Sequence, residues 1–113
     1  MALDLYAGIP VSDYAAASSW YERLLGREPA FIAHATEAVW ELAEHRLVYI
    51  VEDSDRAGRA IVTVFVDGLE ALVAAVASRG LEPDERVTYS NGARKAIYRD
   101  ADGNEIGFGG AAA

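Results

Sequence analysis

The chain has 113 residues, 52% of them hydrophobic, with 18 acidic against 10 basic residues and a formal net charge of -8. This is the composition of a soluble globular protein rather than a disordered one, and the acidic balance argues against nucleic acid, whose phosphates need a basic face. No run of ~18 apolar residues is present to span a membrane, no cysteine is present for disulfides or thiolate ligands, and the first dozen residues, with Asp4 and no positive segment, do not read as a secretory signal.

Along the chain, "LDLYAGIPV" (3–11) is a largely apolar run with period-2 character and reads as a strand. Ser12 or Asp13 can cap a helix, because a short side-chain oxygen accepts bonds from the free N–H groups of a first turn. Ala17, Trp20, Tyr21, Leu24 and Leu25 then recur at helical spacing, and Gly26 is placed to end the helix. Three strand-like stretches follow, "EPAFIAHA" (28–35), "EAVWELAE" (37–44) and "RLVYIVED" (46–53), parted by short polar breaks at Thr36 and at His45-Arg46.

A polar segment of six residues, Asp53 to Gly58, leads to a β-branched strand, "RAIVTVFVD" (59–67). Asp67 with Glu70 predicts a capping box, and Leu69, Leu72, Val73 and Val76 form the apolar stripe of a helix that Gly80 ends. "ERVTYS" (85–90), "ARKAIYRD" (93–100) and "NEIGFG" (104–109) are again strand-like. Both halves read strand, helix, three strands, an internal repeat of about 55 residues. We therefore expect an α+β fold, one domain over residues 1–113, built from modules at about 1–54 and about 59–113.

Few residues invite chemistry. His34 falls within a strand and His45 at a hairpin, and their places do not suggest a common site. Glu41 and Glu105 are strand acids without an evident partner, so no paired-carboxylate acid–base site is expected. No nucleophile elbow, P-loop or dinucleotide fingerprint is present. The acidic turn in "YRDADGNEIGFGG" (98–110) lacks the spacing of a calcium loop and is read as hairpin chemistry, with Gly103 or Asn104 taking positive φ. An acidic protein favours a cationic small molecule only where its acids gather near a pocket.

The βαβββ repeat, "VSD…WYERLLG" around the first helix, "VTVFVDGLEALVAAVASRG" around the second and "YRDADGNEIGF" near the end together resemble the vicinal oxygen chelate superfamily, which includes glyoxalases, bleomycin-resistance proteins and extradiol dioxygenases. The resemblance covers residues 3 to 109. It implies two βαβββ modules whose curved mixed sheets form a cavity, in a homodimer. Metal-dependent relatives hold a divalent ion there with His and Glu side chains. The matching places in this sequence carry Tyr6, Tyr49, Ile61 and Gly107, and a shift of one residue brings in only Leu5, Ala7, Val48, Ile50, Ala60, Val62, Ile106 or Phe108. Divalent ions of this class need oxygen or imidazole donors, and a neutral phenol with a pKa near ~10 is a poor one.

Strand alternation puts Tyr6 with Gly8, Tyr49 with Leu47 and Val51, and Ile61 with Thr63 and Phe65. Through the resemblance these sets face the cavity, and the candidate ligand-binding residues are Tyr6, Trp40, Tyr49, Ile61, Thr63, Phe65 and Gly107. Alternation alone leaves the face of Trp40 open. Gly107 is expected to leave space where the resembled enzymes hold metal. The expectation is a metal-independent binding protein, with no cofactor and no catalytic residue, that sequesters an aromatic or hydrophobic small molecule such as an antibiotic. Two alternatives stand beside it: a metal-dependent lyase, isomerase or dioxygenase with displaced ligands, and a dimer whose aromatic residues only close an interface. The expected location is the cytoplasm.

Overall fold

The computed structural model describes residues 2–112. In chain order the elements are β1 (Leu5–Val11), α1 (Tyr14–Leu25), β2 (Phe31–His34), β3 (Glu37–Ala43), β4 (Arg46–Glu52), β5 (Ile61–Phe65), α2 (Leu69–Ser78), β6 (Glu85–Thr88), β7 (Arg94–Arg99) and β8 (Glu105–Gly110). The first four strands form one sheet in the order β1-β4-β3-β2, and the last four form another in the matching order β5-β8-β7-β6. In each, the two outer elements of the βαβββ unit pair in parallel (β1 with β4, β5 with β8) and the hairpin strands pair antiparallel. The chain is thus α+β, with two open mixed sheets and one helix per sheet. None of its helices, among the described residues, is long and apolar enough to cross a membrane.

Alternation assigns each strand a face. Ile9 and Val11 of β1, Ala38 and Trp40 of β3, and Val48 and Ile50 of β4 join Tyr21 and Leu24 of α1 in the core. Ala96 and Tyr98 of β7, Ile106 and Phe108 of β8, and Leu69 and Val76 of α2 enter the same cluster. One core therefore serves both halves, and the opposite face of each sheet is turned away from it.

Local chemistry explains where the elements stop. Asp13 is the α1 N-cap and accepts from Ala16 N–H at 3.1 Å, while Gly26 closes the helix at φ 76°, a conformation nearly free of cost to glycine. The second helix corrects the capping-box expectation: its N-cap is Gly68 at φ 71°, with no side-chain cap. Glu70 is drawn elsewhere, to Arg86 at 2.6 Å and Arg94 at 2.8 Å. Two charge-assisted bonds outweigh a reach back to one backbone N–H.

The acidic turn after β7 fastens the two halves together. Asp100 is buried and accepts from Tyr21 Oη at 2.7 Å, from Asn104 Nδ2 at 2.9 Å and from the backbone N–H groups of Asp102 and Asn104. Asn104, wholly buried, donates to the Pro10 carbonyl at 2.8 Å and accepts from Ala60 N–H at 2.9 Å. Asp102 takes both the N–H and the hydroxyl of Ser12. The residue that allows the reversal is Gly103, at φ 96°.

Two buried phenols give this core a pH limit. Burial first, then the neighbouring Asp100 carboxylate, holds the Tyr21 phenol above the ordinary tyrosine range, and burial raises Tyr98 as well. Above about pH 10 the unfolded chain releases tyrosine protons that the folded chain keeps, so stability is full below that pH and falls as pH rises. Denaturant midpoints taken across the alkaline range should decline; a flat profile would contradict these environments. Tyr98 carries a second prediction. Its hydroxyl is buried without a hydrogen-bond partner among the described residues, so Tyr98→Phe should be neutral or stabilising, within about 1 kcal/mol, by urea unfolding. A loss of about 2 kcal/mol would show that the hydroxyl is satisfied.

Candidate functional site

The outer face of the first sheet is built around Tyr49. On β1 the outward residues are Tyr6, Gly8 and Pro10, and their register partners on β4 are Leu47, Tyr49 and Val51. The Tyr49 ring lies across Gly8: a methyl group placed on that glycine would sit 2.6 Å from both Cζ and Oη. A side chain there would lift the ring from the sheet. Tyr6 meets Tyr49 edge to face, with ring centroids 6.4 Å apart. The Val39 and Glu41 positions of β3 continue this face, opposite Tyr49 and Leu47.

On the second sheet, Ile61, Thr63 and Phe65 of β5 stand beside Glu105, Gly107 and Gly109 of β8. Beyond β8 come Arg99, Ile97 and Lys95 of β7, then Glu85 and Val87 of β6. Phe65 lies over Gly109, where a methyl group would meet its ring at 3.1 Å. The room above Gly107 is not open. The aliphatic stem of Lys95 crosses it, with Cε over the place a Cβ would take and Nζ 3.2 Å from that place. The sequence expectation of vacant space at Gly107 is thus corrected: the glycine seats a lysine from the diagonal position on the neighbouring strand.

Trp40 does not share these faces. It is fully buried on the core side of β3, its ring tilted against Tyr21 at 6.2 Å and its Nε1 donating to the Arg27 carbonyl at 2.9 Å. Its strand neighbours Glu37 and Glu41 occupy the outward positions, and burying those acids would cost far more than burying an indole with a partner.

The structure therefore groups the remaining candidates in two sets. Tyr6 and Tyr49 are together on the first sheet, and Ile61, Thr63, Phe65 and Gly107 are together on the second. The common core lies between the two sets, so one chain does not enclose the cavity that the sequence led us to expect. Both faces leave large apolar side chains in water among charged ones: Tyr6 is 47% exposed, Phe65 67% and Ile61 73%.

The four places that the resemblance assigns to metal ligands carry no fitting donor set. Tyr6, Tyr49, Ile61 and Gly107 offer at most two phenols, and among the described residues no group of three or more His, Cys, Asp or Glu side chains is arranged to hold an ion. His34 contacts Glu37 at 3.3 Å, and His45, at φ 65° in its hairpin, contacts Asp4 at 2.6 Å. The register pairs His34 with Glu37 on the outward face of the first sheet, at its edge strand β2, while His45 lies in the hairpin between β3 and β4. Glu105 is held by Arg99 at 3.1 Å, which also takes Glu85 at 2.9 Å. Lys95 was not anticipated from sequence. Alternation in "ARKAIYRD" places it with Ile97, but its diagonal reach over Gly107 depends on the β7–β8 register.

Comparisons agree with this architecture. A crystal structure of a glyoxalase / bleomycin resistance protein from Catenulispora acidiphila DSM 44928 is 50% identical, with a TM-score of 0.93 over 96% of this chain and 98% of that one. A bleomycin-binding protein complexed with bleomycin is 16% identical, with a TM-score of 0.77 over 96% of this chain and 98% of that one. An antibiotic-binding protein from Streptomyces sp. CB03234 is 22% identical, with a TM-score of 0.73 over 99% and 98%. These last two share the fold. A comparison with curated proteins found no match. The model of one family matches residues 3–108, nearly the whole chain, and this protein belongs to that family, the Glyoxalase/Bleomycin resistance protein/Dioxygenase superfamily.

Proposed function

We propose that the chain binds a hydrophobic or aromatic small molecule, such as an antibiotic, without a metal ion, on the faces that carry Tyr6, Tyr49, Ile61, Thr63, Phe65 and Gly107. A second copy of the chain completes the site, the first sheet of one copy meeting the second sheet of the other. The observation that carries this reading is the exposure of those faces, with large apolar side chains left in water by a single chain. Sheet faces with large apolar side chains and a few hydroxyl groups suit a planar organic ligand, and the tyrosine rings supply stacking area. Two chains are needed because the core separates the two faces within one. The bleomycin-binding and antibiotic-binding proteins that share the fold fit the same reading, in which burial alone removes the compound from solution. The donor chemistry of Tyr6, Tyr49, Ile61 and Gly107 supports metal independence. The cytoplasm remains the proposed location.

Two measurements test this. Sedimentation of the 12.1 kDa chain should give twice that mass. Protein incubated with Fe(II), Ni(II), Mn(II) or Zn(II) and then dialysed should retain no stoichiometric metal. A monomer at concentrations where ligand binds would overturn the two-copy site, and one metal per chain would overturn metal independence.

A further inference from the structure

We propose that Lys95 is a specificity-determining residue, which makes the site prefer an aromatic ligand that carries an acidic group, a carboxylate, sulfonate or phenolate. The inference rests on the proposed function and names the chemical class of ligand for the same site. Three observations carry it. First, the lysine is laid down across the sheet rather than extended into water, because Gly107 beneath it has no side chain to prevent that. Its ammonium is thereby brought to the strand that pairs with Thr63 and Phe65.

Second, the charges around it are already matched. On this face Glu85 and Glu105 both bond Arg99, at 2.9 and 3.1 Å. On the other face of the sheet, toward α2, Arg86 and Arg94 both bond Glu70. Lys95 alone of these four cations makes no ion pair among the described residues, although the chain as a whole has eighteen acids. Third, the register pairs Thr63 with Gly107 on the other flank of β8, so that a hydroxyl-bearing residue shares the face over which the lysine lies. A compact ammonium and a hydroxyl on one sheet face are donors for an anion, and an ammonium near an anionic group gains a charge-assisted bond. The formal net charge of -8 disfavours anions at long range, so any preference for one must be local. The acids on this sheet face, Glu85 and Glu105, are both engaged by Arg99.

The test uses a matched pair of probes, anilinonaphthalene sulfonate and its uncharged parent phenylnaphthylamine, which share a ring system and differ by the acidic group. Lys95→Met keeps the stem over Gly107 and removes the charge. The variant should bind the sulfonate about tenfold more weakly than the parent chain does, the size of one charge-assisted bond, and bind phenylnaphthylamine within about twofold. Lys95→Arg should restore sulfonate affinity. Sulfonate binding unchanged in Lys95→Met, or equal weakening of both probes, overturns the role of Lys95 while leaving aromatic binding in place. Failure of the unsubstituted protein to bind either probe overturns the binding function and this inference together.

Discussion

Replacing Asn104 by alanine is expected to cost about 3–5 kcal/mol of folding stability, a large share of the roughly 5–15 kcal/mol that holds a domain of this size together. The side chain is wholly buried and satisfies groups from three separate segments: the Pro10 carbonyl of β1, the Ala60 N–H before β5, and the Asp100 carboxylate. Alanine leaves the first two without a partner and withdraws one donor from a buried charge. Each orphaned group costs about 1–3 kcal/mol, and water cannot reach to replace the amide. Since Pro10 and Ala60 belong to different halves, the loss should loosen the contact between the halves and not only the turn. Urea unfolding measures it. A cost below about 1 kcal/mol would mean that the turn does not clamp the two halves.

Trp40→Ala should be comparably damaging, at about 3–5 kcal/mol, through the cavity it opens beside Tyr21 and the loss of its bond to the Arg27 carbonyl. The informative variant is milder. Trp40→Phe keeps most of the packing and should leave affinity for an aromatic probe within about twofold, because the indole lies on the core side of β3 and not on the outer face. A tenfold loss of affinity in Trp40→Phe at retained stability would put the tryptophan back among the ligand-binding residues. Its position also means that indole fluorescence is a poor reporter of the outer faces, so binding is better followed by melting or by a fluorescent ligand.

Periodicity made the element order legible, since strands of β-branched and aromatic residues alternate with two amphipathic stretches, each closed by glycine. The ends were less so. The strand expected over 28–35 shrinks to Phe31–His34, because Pro29 has no N–H to donate and restricts the residue before it. Alternation sorted Tyr6, Tyr49, Ile61, Thr63 and Phe65 into faces but could not place Trp40 by itself. The signal lay in its neighbours: Glu37 and Glu41 share the opposite face, and acids mark the side away from a core.

What remained hidden depends on register between segments distant in sequence. Glu70 leaves its helix cap for arginines of β6 and β7, the Lys95 stem fills the space over Gly107, and Asp100 meets Tyr21 across 79 residues. Local pattern carries no information about such meetings. The acidic turn illustrates the limit: its Asp and Asn residues were legible as turn formers, and their second task of tying β1 to β5 was not.

The most direct test of the central claim is thermal melting of protein stripped of metal by chelator and dialysis, set against a panel of aromatic antibiotics, in parallel with Tyr49→Ala. Ligand at a hundred times its Kd stabilises the folded state by about 2.7 kcal/mol, which a melting curve resolves easily. We predict that at least one compound raises Tm without added metal, and that the rise shrinks in Tyr49→Ala, where the ring over Gly8 is gone. A panel that leaves Tm unmoved, or a shift that appears only after a divalent ion is returned, would contradict a metal-free aromatic site.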